Sequence, residues 1–149
     1  KITKEGKDLT IITYSYLVHE ALKTSKILKQ DAIDIEIINL RTIKPWDREA
    51  VIKSCQKTKR VIVADTCWLE GGVGSEISSF IGSKLFYELD KPCLRVGLPN
   101  IPAPCSRTLE ECYYPRSSTL LQACKELLEI PGTKKGLCLS KEIPGLIAY

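Results

Sequence analysis

Histidine is nearly missing from this chain, with His19 the one imidazole among 149 residues. Leu17, Val18, Ala21, Leu22, Ser25 and Leu28 form one helical stripe with His19, Lys23 and Lys26 opposite, so the ring belongs on the wet side and is a poor general base. The seven cysteines include no C-x-x-C pair, and with a single histidine to join them they exclude a zinc site of the usual spacing. Long apolar runs are missing too: none approaches the roughly eighteen residues of a membrane span, and K-I-T-K-E-G at the start has no apolar signal region. Like-charge runs are no longer than Lys134-Lys135, and the net charge of +4 is spread along the chain, so nucleic acid is not called for.

What is present is the balance of a globular domain. With 44% hydrophobic and 27% charged residues, the chain can bury a core without metal or disulfide staples. Cys55 and Cys124 fall among aliphatic residues at helical spacing, where free cysteine acts as a small buried hydrophobe. That usage fits a reducing intracellular compartment, cytoplasm or organelle matrix. Cys67 and Cys105 sit on expected loops as thiols with no neighbouring base.

The segment Ile33 to Asp47 organises the rest. Ile33, Ile35 and Ile37 alternate with Asp34 and Glu36, predicting a strand with one buried face, while Ile38 and Leu40 bury the other face near its end. Pro45 keeps Lys44 out of the helical region, and Asp47 is placed to cap the next helix, buried through Val51, Ile52 and Cys55. Lys1–Glu5 and Leu9–Tyr14 are expected strands, and Ser15 a cap for the first helix. Arg60–Asp65 reads as a strand covered on both faces. Glu70 to Glu76 opens a third helix with the stripe Ile77, Phe80, Ile81, Leu85 and Leu89, and Pro92 begins a further strand. The proline-rich Leu98–Pro115 reads as an irregular connection with one turn at Leu109–Cys112, before a last helix capped by Ser117 or Ser118 and stopped at Pro131-Gly132. This order calls for a parallel α/β sheet with right-handed crossovers.

Two features carry possible chemistry. Gly71, Gly72 and Gly74 stand at a helix start, where free N–H groups would favour an anion. Their spacing is neither G-x-G-x-x-G nor G-x-x-x-x-G-K-[ST], and Glu70 and Glu76 flank them, so the other reading is a tight turn or close helix packing. Asp65, at a strand's carboxyl end, lies where α/β sheets place ligands but has no visible partner acid, base or metal ligand.

I-N-L-R-T-I-K-P-W-D-R-E, then V-I-V-A-D, then G-G-V-G-S-E-I closely resembles the C-terminal domain of the thiamine-diphosphate transketolase family. P-C-L-R-V-G-L-P-N-I-P-A-P and T-L-E-E-C-Y-Y-P look most like the β subunit of 2-oxoacid dehydrogenase E1, of pyruvate type, over Ile2 to about Ile130. The resemblance implies a three-layer α/β/α sandwich with five strands ordered 1-3-2-4-5, the first antiparallel. It implies a domain over residues 1–130 and a tail over 131–149, where the family's E1 β chains usually stop. Cys105 replaces an aromatic common in the pyruvate-type pattern, which keeps branched-chain and acetoin dehydrogenases and transketolase in view.

The resemblance also implies that thiamine diphosphate and Mg²⁺ belong to other domains of the full enzyme. This stretch is then an excised domain with no catalytic, cofactor or metal residue of its own. Implied partners are the E1 α subunit, a second β subunit and the basic subunit-binding domain of the E2 acyltransferase. Asp90 carries the match to the E2 contact, with Glu88 beside it and Lys91 expected to weaken their field; the tail is able to cover this site. Trp46, Trp68, Tyr113 and Tyr114 fall on expected loops and are candidates for subunit contacts. The other function class is a free-standing nucleotide- or anion-binding α/β protein using the glycine turn and Asp65.

Overall fold

A computed structural model describes residues 1–130; the expected tail and the Pro131-Gly132 stop lie outside the described residues. The elements are β1 (Ile2–Lys4), β2 (Leu9–Thr13), α1 (Leu17–Leu28), β3 (Ile35–Asn39), α2 (Arg48–Thr58), β4 (Val61–Trp68), α3 (Val73–Leu85), β5 (Leu94–Leu98), α4 (Arg107–Tyr113) and α5 (Ser117–Leu127). They form one five-stranded sheet in the order β1-β3-β2-β4-β5. β1 runs antiparallel to β3, and β2, β3, β4 and β5 pair in parallel.

Parallel strands must be covered on both faces, and two separate cores do this. Leu9, Ile11, Ile35, Ile37 and Val96 meet α1 and α5 through Leu17, Ala21 and Leu120. Ile12, Ile38 and Val63 meet α2 and α3 through Val51, Cys55, Ile77 and Ile81. The result is the expected α/β/α sandwich.

Several local expectations change. Glu36, expected on the open face of its strand, is fully buried. It accepts hydrogen bonds from Ser54 Oγ, Lys57 Nζ and, at 3.3 Å, the Gly6 N–H. Burying a carboxylate is tolerated only with such partners. Thr10 Oγ1 extends the network to Ser54 Oγ at 2.8 Å and Thr58 Oγ1 at 2.7 Å. Thus α2 packs through Ser54 and Thr58 as well as Val51 and Cys55, while Ile52 is half-buried. Asp47 caps α2 as expected, accepting from the Ala50 N–H at 3.0 Å.

Ser15 does not cap α1; it adopts φ 57° just before the helix, whose N-cap is Tyr16. Nor do Ser117 and Ser118 cap α5 with their side chains. Instead the nearly buried Glu20 carboxylate on α1 accepts from the Ser117 N–H at 2.7 Å and from Lys23 Nζ at 2.7 Å. Burial alone would raise the Glu20 carboxyl, but the Lys23 ammonium and the Ser117 N–H outweigh it and hold it below the usual carboxylate range. Thr24 Oγ1 ties the same two helices through the Ser117 carbonyl at 3.1 Å. Between β5 and α5 the single expected turn is the seven-residue α4, anchored by buried Tyr113.

Candidate functional site

Helix α3 links the two places where the sequence pointed to binding: the glycine turn at its start and the acids just past its end. β4 runs past Asp65 to Trp68, and the chain then reverses through Gly71, at φ 71°, and Gly72 into the helix. Asp65 is 4% exposed. Its Oδ1 accepts from the Tyr14 hydroxyl and from the Cys67 N–H at 3.0 Å, and its Oδ2 accepts from the Gly74 N–H at 2.6 Å. The anion at this helix N-terminus is therefore the chain's own carboxylate. Burial first, then the bond to Asp65, pushes the Tyr14 phenol up to about 12, so it stays protonated and donating.

The glycines are explained by closeness. A Cβ on Gly72 would lie 2.5 Å from the Trp68 carbonyl oxygen and 2.8 Å from Asp65 Oδ2. On Gly74 it would lie 3.0 Å from the same Oδ2. Gly71 has open space around it and is needed for its positive φ. Arg95 Nη2 reaches over the turn to the Leu69 carbonyl and to Ser75 Oγ. A diphosphate on this turn would meet the Asp65 carboxylate, which already takes the Gly74 N–H. No group of three or more metal-ligating side chains occurs among the described residues. The turn does not fit thiamine diphosphate and Mg²⁺.

The other end of α3 is open. Phe86 is 72% exposed and Tyr87 96%, their rings edge-on at 5.1 Å. Beyond them Glu88 accepts from Gln56 Nε2 at 3.0 Å, and Asp90 pairs with Arg60 Nη2 at 2.9 Å. Both acids lean on the end of α2, and the Asp90 N–H donates to the Lys59 carbonyl at 3.0 Å. Lys91, expected to weaken the acids' field, pairs with Glu129 instead, and Arg60 takes that part. A groove of about 630 Å³ runs along this end between α3 and β5, lined among others by Ser78, Gly82, Phe86, Leu89, Lys91 and Pro92.

The aromatics expected at contacts divide. Tyr113 is buried, with its hydroxyl donating to the Ile101 carbonyl at 2.8 Å. Trp46 is half-buried, edge-on to Phe80 at 5.0 Å, with Arg48 stacked on both rings. Tyr114 is half-buried, whereas Trp68 remains 45% exposed and donates from Nε1 to the Tyr113 hydroxyl at 3.1 Å. The sequence signal for Phe86 and Tyr87 was their position off the Ile77–Ile81–Leu85 stripe. His19 is exposed on α1, and Cys67 and Cys105 are exposed while Cys55 and Cys124 are buried. Burial pushes both buried thiols up to about 12, leaving them unreactive.

Residues 1–120 match the family model described as the transketolase C-terminal domain. The chain is 38% identical over 127 residues to the pyruvate dehydrogenase E1 component subunit beta of Rickettsia felis, covering 85% of this chain and 39% of that protein. Its identity to the mitochondrial subunit of the same name from Saccharomyces cerevisiae is 39% over 132 residues, or 87% of this chain and 36% of that one. It is 35% identical over 129 residues to the 2-oxoisovalerate dehydrogenase subunit beta of Bacillus subtilis, covering 86% of this chain and 39% of the relative. The chain thus spans about two-fifths of the length of these curated relatives. Among solved structures, a split-gene transketolase described as an inactive beta4 tetramer superposes with a TM-score of 0.71 at 26% identity, over 87% of this chain and 41% of that one. Sequence, fold and matched span agree: the chain belongs to the transketolase C-terminal domain family.

Proposed function

We propose that this chain serves as the C-terminal domain of the β subunit of a thiamine-diphosphate-dependent 2-oxoacid dehydrogenase E1, acting in subunit assembly and in docking of the E2 acyltransferase. Its partners are the E1 α subunit, a second β subunit and the basic subunit-binding domain of E2. Oxidative decarboxylation of the 2-oxoacid to an acyl-CoA takes place in the full complex, and this domain alone is inactive. Identities of 38% and 39% to pyruvate dehydrogenase subunits support pyruvate as the substrate. The 35% identity to a 2-oxoisovalerate subunit, with Cys105 in place of an aromatic, favours a branched-chain acid as the second reading. The compartment is a reducing cytoplasm or organelle matrix.

The observation that carries the docking role is the exposed end of α3. There Glu88 and Asp90 follow directly on Phe86 and Tyr87, two exposed rings of the kind enriched at recognition sites, with the acids suited to a polar rim. An incoming arginine would compete with Arg60 for Asp90, a bidentate-capable group exchanging one guanidinium for another. Charge complementarity of this kind speeds encounter and is screened over about 8 Å at physiological ionic strength. Surface plasmon resonance against the cognate subunit-binding domain tests it. Association should be fast, weaken with salt and lose about tenfold in affinity on Asp90→Ala; an unchanged dissociation constant, or binding insensitive to salt, would remove Asp90 from the contact.

A further inference from the structure

Asp90 is not a vacant anchor. Its carboxylate already pairs with Arg60 Nη2 at 2.9 Å, and Glu88 accepts from Gln56 Nε2 at 3.0 Å. An arginine arriving at Asp90 releases one guanidinium as it adds another, and the existing pair is part-exposed on both sides, so the exchange yields little net affinity. Charge of this kind sets how fast two partners meet, and the time they stay together is set by other contacts. The groove between α3 and β5 is the surface next to hand, because Asp90 lines it together with Phe86, Leu89 and Pro92. We propose that this groove, with Phe86 as its main wall, holds the basic E2 domain that Asp90 steers, by taking an apolar side chain of that domain. The inference rests on the docking reading above and divides its labour: the acid recruits and the ring retains.

The groove is built for such a guest. Ser78, Ser79 and Gly82 make a floor of small residues, and a Cβ at Gly82 would meet nothing within 4 Å, so the floor has open depth. Phe86 is 72% exposed beside it, a large ring that is costly to leave wet. The two cations that line the groove are turned to acceptors of the chain itself. Lys91 Nζ is bonded to Glu129, and Arg95 Nη2 to the Leu69 carbonyl and to Ser75 Oγ. Neither is aimed at a basic partner, and the walls left to meet it are apolar. A buried ring with charges at its edge is the arrangement in which interface anchors work, since the surrounding contacts keep water out.

Surface plasmon resonance with separate association and dissociation rates tests the division, using the full 149-residue chain and the cognate subunit-binding domain. Phe86→Ala removes the wall, and Gly82→Gln fills the floor with a side chain that the fold has room for. Circular dichroism confirms folding of each. Both variants are expected to dissociate at least about tenfold faster, with association and its salt dependence kept within about twofold of the parent. Asp90→Ala is expected to do the reverse, slowing association and flattening its salt dependence. Dissociation unchanged in both groove variants, while the parent binds and Asp90→Ala slows association, would overturn the role of the groove and leave the docking reading standing. A parent chain that does not bind the domain would overturn the docking reading and this inference with it.

Discussion

The two ends of α3 invert what their sequences advertise. The N-terminal end, with three glycines and free N–H groups, has the composition of an anion site, yet Asp65 fills it from inside and the Trp68 carbonyl and the Asp65 side chain crowd any Cβ at Gly72 or Gly74. The C-terminal end has no motif, yet it presents two exposed rings, two acids and a groove. Glycine clusters report close approach, and here what approaches is the chain itself.

Removing the internal anion is the strongest way to break this contrast. Asp65→Ala leaves the Tyr14 hydroxyl and the Cys67 and Gly74 N–H groups without their acceptor, and denaturant unfolding should show a loss of about 3 kcal/mol or more. An effect below about 0.5 kcal/mol would mean that water serves these donors equally well.

The N-cap glycine of α3 and the glycine within it sharpen the comparison. Gly72→Ala pushes a methyl to 2.5 Å from a backbone oxygen that cannot move cheaply, and should cost about 2–3 kcal/mol. Gly82→Ala, on the open side of the same helix, should stabilise by about 0.5–1 kcal/mol through helix propensity alone. Equal effects at both positions would erase the distinction between a closed and an open end.

How far the sequence carries is visible in these same residues. Strand periodicity and the Asp47 cap were legible because each depends on neighbours within a few positions. Glu36 was not, since its burial depends on Ser54 and Lys57 arriving from another element. Glu20 was likewise illegible, because the helix it caps lies about a hundred residues away. The order of the strands was accessible only through family resemblance, as alternation alone does not choose neighbours. The turn at 71–74 could be named but not assigned, because only the fold brings Asp65 beneath it.

Glu20 gives a prediction of moderate size with a definite pH sign. Its carboxyl sits below the usual range in the folded chain, so its contribution is complete above the unfolded value of about 4.3 and fades as pH falls through the lower folded value. Glu20→Gln should cost about 1 kcal/mol at neutral pH, with the difference from the parent shrinking in acid. A difference that grew on acidification would contradict the assigned role.

Trp68 offers the smallest effect on stability and a larger one on association. With 45% of its surface exposed, Trp68→Ser should leave the thermal midpoint within a few degrees and alter self-association by sedimentation. A large loss of stability with association unchanged would place the ring's energy in the bond to Tyr113 instead.

Amide chemical-shift mapping distinguishes the two ends of α3 in one experiment. The labelled chain is titrated first with thiamine diphosphate and Mg²⁺ and then with the cognate E2 subunit-binding domain. No saturable shift is expected from the cofactor at Gly71–Ser75, and clear shifts from the E2 domain are expected at Tyr87–Cys93. Saturable cofactor shifts at the glycine turn, with Tyr87–Cys93 silent toward the E2 domain, would contradict the account.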